Sequence, residues 1–456
     1  MEGPENIMMK KLLILFIFLS CIALGPEKSF AAPGDLQSKI DALEEGESLT
    51  LEGITYEGNL VITNSIKISG TKGTVIKGDG DGNVISIKAP GVTIANLTVT
   101  NGSMDRTAPE EYAGIKVFSN GNTIENVYIH DVFHGIYLSK AYHNTLKNNH
   151  ILGFADGEVA GQGNGIQVYY SNGNMITGNT IEGSRDGMYF DYSNGNTILD
   201  NEISRTRYGL HYMYSHSNRF SGNTFAFNTG GAALMMSNDI KLANNQFIFN
   251  YGNRSFGVLL QQTNDIVIEN NTFYLNQRGI YSDQANRTTV RENRIVQNQI
   301  GVELWASSSQ HIFTENTISE NIIPAVTLGG QGVNNFWNLA DRGNDWGSSF
   351  PLVDLDQDRT GDFPITYRSS LYELLEDQEL TYLFLKSPAL KIYEKLNSFL
   401  NGEEVMFEDA HPLVGSGGTA NPSRILITGL FLIGILLFSK GRYRLCIIFG
   451  KNGRKR

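Results

Sequence analysis

Two cysteines are all that the 456 residues contain, and both Cys21 and Cys446 lie outside the long repetitive middle of the chain. That excludes a disulfide scaffold and a thiolate metal site for the folded body. Proline is scarce, at 11 against 49 glycines, and only 18% of residues are charged, which excludes a proline-rich or highly charged disordered chain. No apolar run reaches the ~20 residues of an ordinary membrane span. Net positive charge is confined to the C-terminal end: the net charge is −11, yet Lys440–Arg456 holds seven basic and no acidic residues, so everything before it carries −18. A body this acidic argues against nucleic acid as a partner.

What the chain does have is a period. From Asp186 to Trp305 it falls into rows whose glycines stand at 187, 209, 231, 257, 279 and 301, four steps of 22 and one of 26. Asparagine keeps the same step at 201, 223, 245, 271 and 293, with Asn316 one residue late. A period in the low twenties with short β-rich runs and no helical spacing predicts an all-β parallel β-helix of about twelve coils. Glycine and asparagine are expected at the corners, where positive φ is needed, with the asparagines stacked as an amide ladder. Alternation then sends Met188, Phe190, Tyr192, Leu210, Tyr212, Tyr214, Ala232, Leu234, Met236, Val258 and Leu260 into the lumen. Two outward columns remain: Tyr189, His211, Ala233, Leu259, Tyr281, Glu303, and beside it Asp191, Met213, Met235, Gln261, Asp283, Trp305.

The flanks divide the chain further. Residues 1–31 read as a signal peptide, with Lys10-Lys11 before the apolar Leu12–Leu24 and a small-x-small site at Ser29–Ala31. Residues 32–335 are the β-helix, led by a short capping helix after Asp35. Residues 336–400 form an aromatic and acidic element, with a helix opened by Ser387-Pro388 that is expected to close the far end. Residues 401–424 read as a linker, 425–439 as a transmembrane anchor and 440–456 as a basic cytoplasmic tail. The body would then sit on the extracytoplasmic face, held by a single-pass C-terminal helix.

The rows DGMYFDYS (Asp186–Ser193), RYGLHYMYS (Arg207–Ser215), GGAALMMS (Gly230–Ser237) and FGVLLQQ (Phe256–Gln262) resemble the NosD family of nitrous-oxide reductase accessory proteins. So do Asn334–Tyr367 and LFLKSPAL (Leu383–Leu390), and the likeness runs from about Gly34 to Leu400. It implies a right-handed β-helix outside the membrane, a non-catalytic assembly factor for copper centres. The implied partners are an ABC-type ATPase and permease (NosF and NosY type), the copper chaperone NosL, and nitrous-oxide reductase itself. The C-terminal apolar segment departs from the family and fits a cell without an outer membrane.

Three clusters carry candidate chemistry. His211, Met213 and Met235 offer imidazole and thioether, a soft set suited to Cu(I), with Asp191 one coil away. The same wall, taken as Tyr189, Asp191, His211, Met213, Met235, Leu259, Gln261, Tyr281, Asp283 and Trp305, reads equally as a Met-rich docking face for a partner. Asp354, Asp356, Asp358 and Asp362 alternate as in a Ca²⁺ loop, though Arg359 stands where such loops want glycine. His130, Asp131 and His134 share one corner and read as structural. The competing function class is a carbohydrate-active β-helix, a polyuronate lyase or epimerase. Against it, Asp191 and Asp283 lie four coils apart in one column, roughly 19 Å at the strand spacing, and the acidic body would repel a polyuronate.

Overall fold

The computed structural model describes residues 30–415, apart from 32–34, 154–158, 253, 331, 333, 351 and 401. Residues 1–29 of the stretch read as a signal peptide, the apolar segment at 425–439 and the basic tail therefore lie outside the described residues, as do 401 and 416–424. Phe30 and Ala31, read as the end of the signal peptide, instead pair with Thr55 and Tyr56 on the first coil. Within them the chain winds into a right-handed β-solenoid of about twelve turns, its strands stacked in three parallel sheets of 13, 12 and 12 strands. Among the described residues no helix is long and apolar enough to cross a membrane.

The period sets the register. Six strands of one sheet carry the wall: β1 (Asp186–Asp191), β2 (Tyr208–Met213), β3 (Gly230–Met235), β4 (Phe256–Gln261), β5 (Arg278–Asp283) and β6 (Ile300–Trp305). Met188 pairs with Leu210, Leu210 with Ala232, and Ala232 with Val258, all fully buried. A second sheet stacks Phe225, Phe247 and Phe273 at centroid spacings of 5.1 and 5.0 Å.

The amide ladder is longer than the sequence column. It runs from Asn149 through Asn179 and the six read from the sequence to Asn344, each Nδ2 donating to the next Oδ1 at 2.8–3.0 Å. The ladder residues themselves do not take positive φ; from Asn149 to Asn316 the residue before each does, as at Asp200, Asn244 and Asn270. Each ladder amide also donates to backbone carbonyls of the preceding coil, as Asn223 does to Ile198, and so stabilises a corner whose αL residue costs energy. Replacing Asn223 by alanine should lower stability by about 3 kcal/mol in urea unfolding, since the N–H and Nδ2 of Asn201 both lose their acceptor.

The row-start glycines also do a different job from the one expected. Gly187, Gly209, Gly231, Gly257, Gly279 and Gly301 sit in extended strand, and a Cβ on any of them would stand 2.4–2.7 Å from a carbonyl oxygen of the next coil. They permit close stacking rather than a left-handed corner. The left-handed corner falls five residues later, and it overturns part of the lumen assignment. Tyr192, Tyr214 and Met236 take φ of 47°, 47° and 50°, which breaks the alternation and turns them outward. Tyr170, Tyr192 and Tyr214 stack as an exposed ladder with centroids 4.8 and 4.9 Å apart.

At the N-terminal end α1 (Asp35–Asp41) lays Leu36 and Ile40 on the first coil, as expected of the cap. At the other end the closure is not the helix after Ser387. The coil pattern continues past residue 335: Phe336 bridges Ile312, Asp345 bridges Thr317, and Asn344 joins the ladder. Trp337, Trp346 and Phe407 then form the plug, with Trp346 stacked on Phe407 at 4.0 Å. Phe407 belongs to a strand inside the stretch read as linker. Strands β7 (Ile365–Ser369) and β8 (Glu404–Asp409) pair antiparallel, with Met406, Phe407 and Asp409 buried. Asp409 ends the ladder, accepting from the Asn344 backbone and from Trp346 Nε1, each at 2.8 Å.

Two buried histidines give the rod an acid limit. Burial first, then the Lys116 charge, pushes His134 down to about 3, and burial pushes His311 down to about 4. Both are neutral when folded and take up a proton sooner when unfolded. Their contribution is therefore whole above the ordinary histidine value of about 6.5 and is lost as pH falls toward the folded values. The unfolding free energy from urea titrations should drop steadily from about pH 6.5 to pH 4, by up to about 1.4 kcal/mol per pH unit for each histidine.

Candidate metal and docking site

The wall carries a third outward column that alternation from the row glycines hides. One residue before each glycine stand Asp186, Tyr208, Gly230, Phe256, Arg278 and Ile300, in register along β1 to β6. Asp186 is its chemical centre, with a side chain only 2% exposed. Arg207 grips it with two bonds, Nε to Oδ1 at 2.8 Å and Nη2 to Oδ2 at 2.5 Å. His211 Nδ1–H donates to Oδ2 at 2.9 Å. Burial by itself would raise the Asp186 pKa; the bonds and charges of His211 and Arg207 outweigh it and hold the carboxyl below its usual value.

That arrangement fixes the His211 ring. Its Nδ1 is committed to Asp186, and the rings of Tyr189 and Tyr208 meet it edge to face at 4.7 and 5.3 Å. The Nε2 lone pair is thereby left for an outside partner, the tautomer that a metal-ligating histidine with a carboxylate behind it adopts. Met213 lies two residues along β2 on the same face, about 7 Å away at strand geometry. Its register neighbours are Asp191 on β1 and Met235 on β3. Asp191 is pushed above the usual carboxylate value by burial, against the pull of His211. The three candidate ligands read from the sequence thus share one half-buried patch. An oriented imidazole flanked by two thioethers fits a soft ion such as Cu(I).

The rest of the wall is less open than the sequence implies. Ala233 and Leu259 are buried with Phe256, and Tyr208, Met235 and Tyr281 pack around them, because the hidden column leans over that part of the sheet. Glu303 is sealed, accepting from Arg278 at 2.8 Å and from the Tyr382 hydroxyl at 3.0 Å, so the C-terminal element covers the far end. Trp305 packs partly into the main core. What stays accessible is Tyr189, Asp191, His211, Met213, Met235, Gln261, Tyr281 and Asp283.

The acidic loop departs from the calcium expectation. Asp354, Asp356 and Asp358 bring ligand atoms within 4.8 Å of one another, but Asp362 does not join them. Its carboxylate accepts from the Leu355 N–H at 2.7 Å, while Asp354 accepts from Gln357 and Arg359. The carboxylates serve the loop's own backbone. At the His130 corner, Nδ1 bonds Asp131 at 2.7 Å, and His134 Nδ1 accepts from the Asn164 N–H at 2.9 Å, the structural role read from the sequence.

Asp186 and Arg207, which the sequence reading passed over, left a signal: opposite charges 21 residues apart, one short of the period, at the two row starts.

No curated protein matches the chain. Among solved structures, the surface adhesin PfbA of Streptococcus pneumoniae is 16% identical, with 75% of this chain and 97% of that chain covered and a TM-score of 0.48. The periplasmic alginate epimerase AlgG is 15% identical over 68% of this chain and 83% of that chain, at 0.46. A mannuronan C-5 epimerase module from Azotobacter vinelandii is 15% identical over 68% and 90%, at 0.45. Likeness at this level has no bearing on activity. Across residues 154–349, the stretch that holds Asp186, His211, Met213 and Met235, the chain matches the model of the NosD family, described as periplasmic copper-binding protein.

Proposed function

We propose that this protein is an extracytoplasmic accessory factor in the maturation of a copper enzyme, nitrous-oxide reductase, and that the His211–Met213–Met235 patch takes Cu(I) as cargo. One observation carries the reading: the buried Asp186 carboxylate presents His211 Nε2 beside two register-paired thioethers, inside the stretch matched by a copper-binding family. A soft donor set on an exposed wall suits transfer better than storage. It can accept the ion from a chaperone of the NosL type and give it up to the apo-reductase docked on Tyr189, Gln261, Tyr281 and Asp283. An ATPase and permease of the NosF and NosY type would complete the assembly, with the segment at 425–439 holding the rod at the membrane.

Competition against a Cu(I)-specific chelator tests the site. The Met213→Ala/Met235→Ala variant should lose Cu(I) binding while its melting temperature stays close to wild type, since both side chains are half-exposed. Unchanged Cu(I) affinity would leave the wall as a docking face only. In cells, deletion should yield a reductase without copper, and a fully loaded enzyme there would end the proposal. Turnover of alginate or pectate by the purified protein would favour the carbohydrate-enzyme reading instead.

A further inference from the structure

A helix on a globular body ordinarily buries its apolar stripe. The helix α2 (Pro388–Leu400) does the opposite. Its N-terminus is built as the sequence predicts, with Ser387 Oγ accepting from the Leu390 N–H at 3.3 Å. The side facing the body is partly polar: Asn397 Nδ2 donates to the Ser370 carbonyl at 3.0 Å, and Glu394 accepts from the Ser369 hydroxyl at 3.3 Å. The opposite side carries Ile392, Leu396, Phe399 and Leu400, exposed by 60, 57, 79 and 80%. At 100° per residue these four fall within one continuous face. Lys391 and Lys395 border that face along one side, and Lys386 precedes it. The 3-10 turn leading into the helix adds Leu383 and Phe384, 69 and 58% exposed.

So much apolar surface on one side of one helix marks an interaction site, and we propose that its occupant is the lipid bilayer, with α2 lying in the headgroup layer. The stripe is a protruding ridge, not a groove shaped for a peptide. Its lysine border matches the phosphates of an anionic leaflet, as in helices that lie in a membrane interface. The chain beyond the described residues supports the same occupant. Nine residues separate Gly415 from the uncharged run Ile425–Phe438, so that run begins within about 35 Å of the same end of the rod. A lipid phase that receives it passes within reach of α2. The two contacts together would set the rod's tilt at the membrane and hold the β1–β3 wall at a fixed height. This inference is independent of copper.

The test uses the full chain in phosphatidylcholine–phosphatidylglycerol vesicles, with serine at Cys21 and Cys446 and a nitrobenzoxadiazole label on a single new cysteine. Doxyl-labelled lipid should quench the probe at Phe399→Cys several-fold more than at Glu202→Cys, on the solenoid flank. Adding Ile392→Gln and Leu396→Gln should remove that difference and leave the melting temperature unchanged. Equal quenching at the two positions would overturn the proposal. So would a blue-shifted probe that lipid fails to quench, which would mean that a second copy, or residues 425–438, covers the face.

Discussion

Trp346→Ala should lower the stability of the protein by about 3–5 kcal/mol, the range for removing a fully buried large aromatic. The side chain contributes in three ways at once. It stacks on Phe407 at 4.0 Å and touches Trp337 and Phe350. Its Nε1–H supplies one of the donors that let Asp409 stay buried, and burial already pushes that carboxyl upward. Without the indole, Asp409 keeps the backbone donors of Asn344 and His411 but faces a cavity. The damage should stay local at first, because each coil touches only its neighbours. Amide exchange should therefore rise at β7, β8 and the last coil, while β1–β3 keep their protection. Trp346→Phe restores the stacking but not the donor, and should recover more than half of the loss. A uniform rise in exchange along the whole rod would show that the plug is not a separate unit.

The fold was legible because one number, the period, fixes everything that stacking depends on. Positions 22 apart are vertical neighbours at Met188–Leu210 and at Met213–Met235, as the row alignment requires. Which way a side chain points was legible only while the backbone stayed extended. Alternation predicts Met188 and Phe190 inside correctly, and then fails at Tyr192 because a single αL residue rotates the chain out of phase. Nothing in the composition of DGMYFDYS announces that corner: non-glycine residues take it, and the cost is offset by bonds from other coils.

The site was half legible for a related reason. His211, Met213 and Met235 are found by residue type, and register then places them side by side. Asp186 gives no such sign, since a carboxylate before a glycine is ordinary in a turn-rich repeat. Its role depends on Arg207 and His211 arriving from the next coil, which is a fact of packing. The far end was misread because β7 and β8 pair across a gap of more than thirty residues, with no period to link them. Read locally, GEEVMFEDAHPLVGSGG resembles a linker, and only Trp337 and Trp346 waiting on the last coil give Phe407 something to cover.

Asp186→Asn separates what that carboxylate does for the fold from what it does for the ligand. The variant keeps the shape and loses the charge, leaving Arg207 and His211 one neutral carbonyl oxygen in place of the two carboxylate oxygens they bond. Removing one partner of a buried ion pair costs about 3–5 kcal/mol, and the lower end applies because the Arg207 side chain is 32% exposed and water can reach it. The pH dependence follows from the lowered pKa. The wild-type advantage is whole above the ordinary aspartate value of about 3.9 and disappears as pH falls through the lower folded value, so the two proteins should converge in acid. Cu(I) affinity should fall by about 10–100-fold, the usual effect of removing the group that orients a ligating histidine. Arg207→Ala is the control, because it also breaks the ion pair and yet leaves His211 Nδ1 bonded to a carboxylate. It should match Asp186→Asn in lost stability and retain Cu(I) affinity within a few-fold. If Asp186→Asn keeps its affinity as Arg207→Ala does, His211 is held by the packing of Tyr189 and Tyr208 rather than by Asp186, and the carboxylate is part of the rod's framework alone.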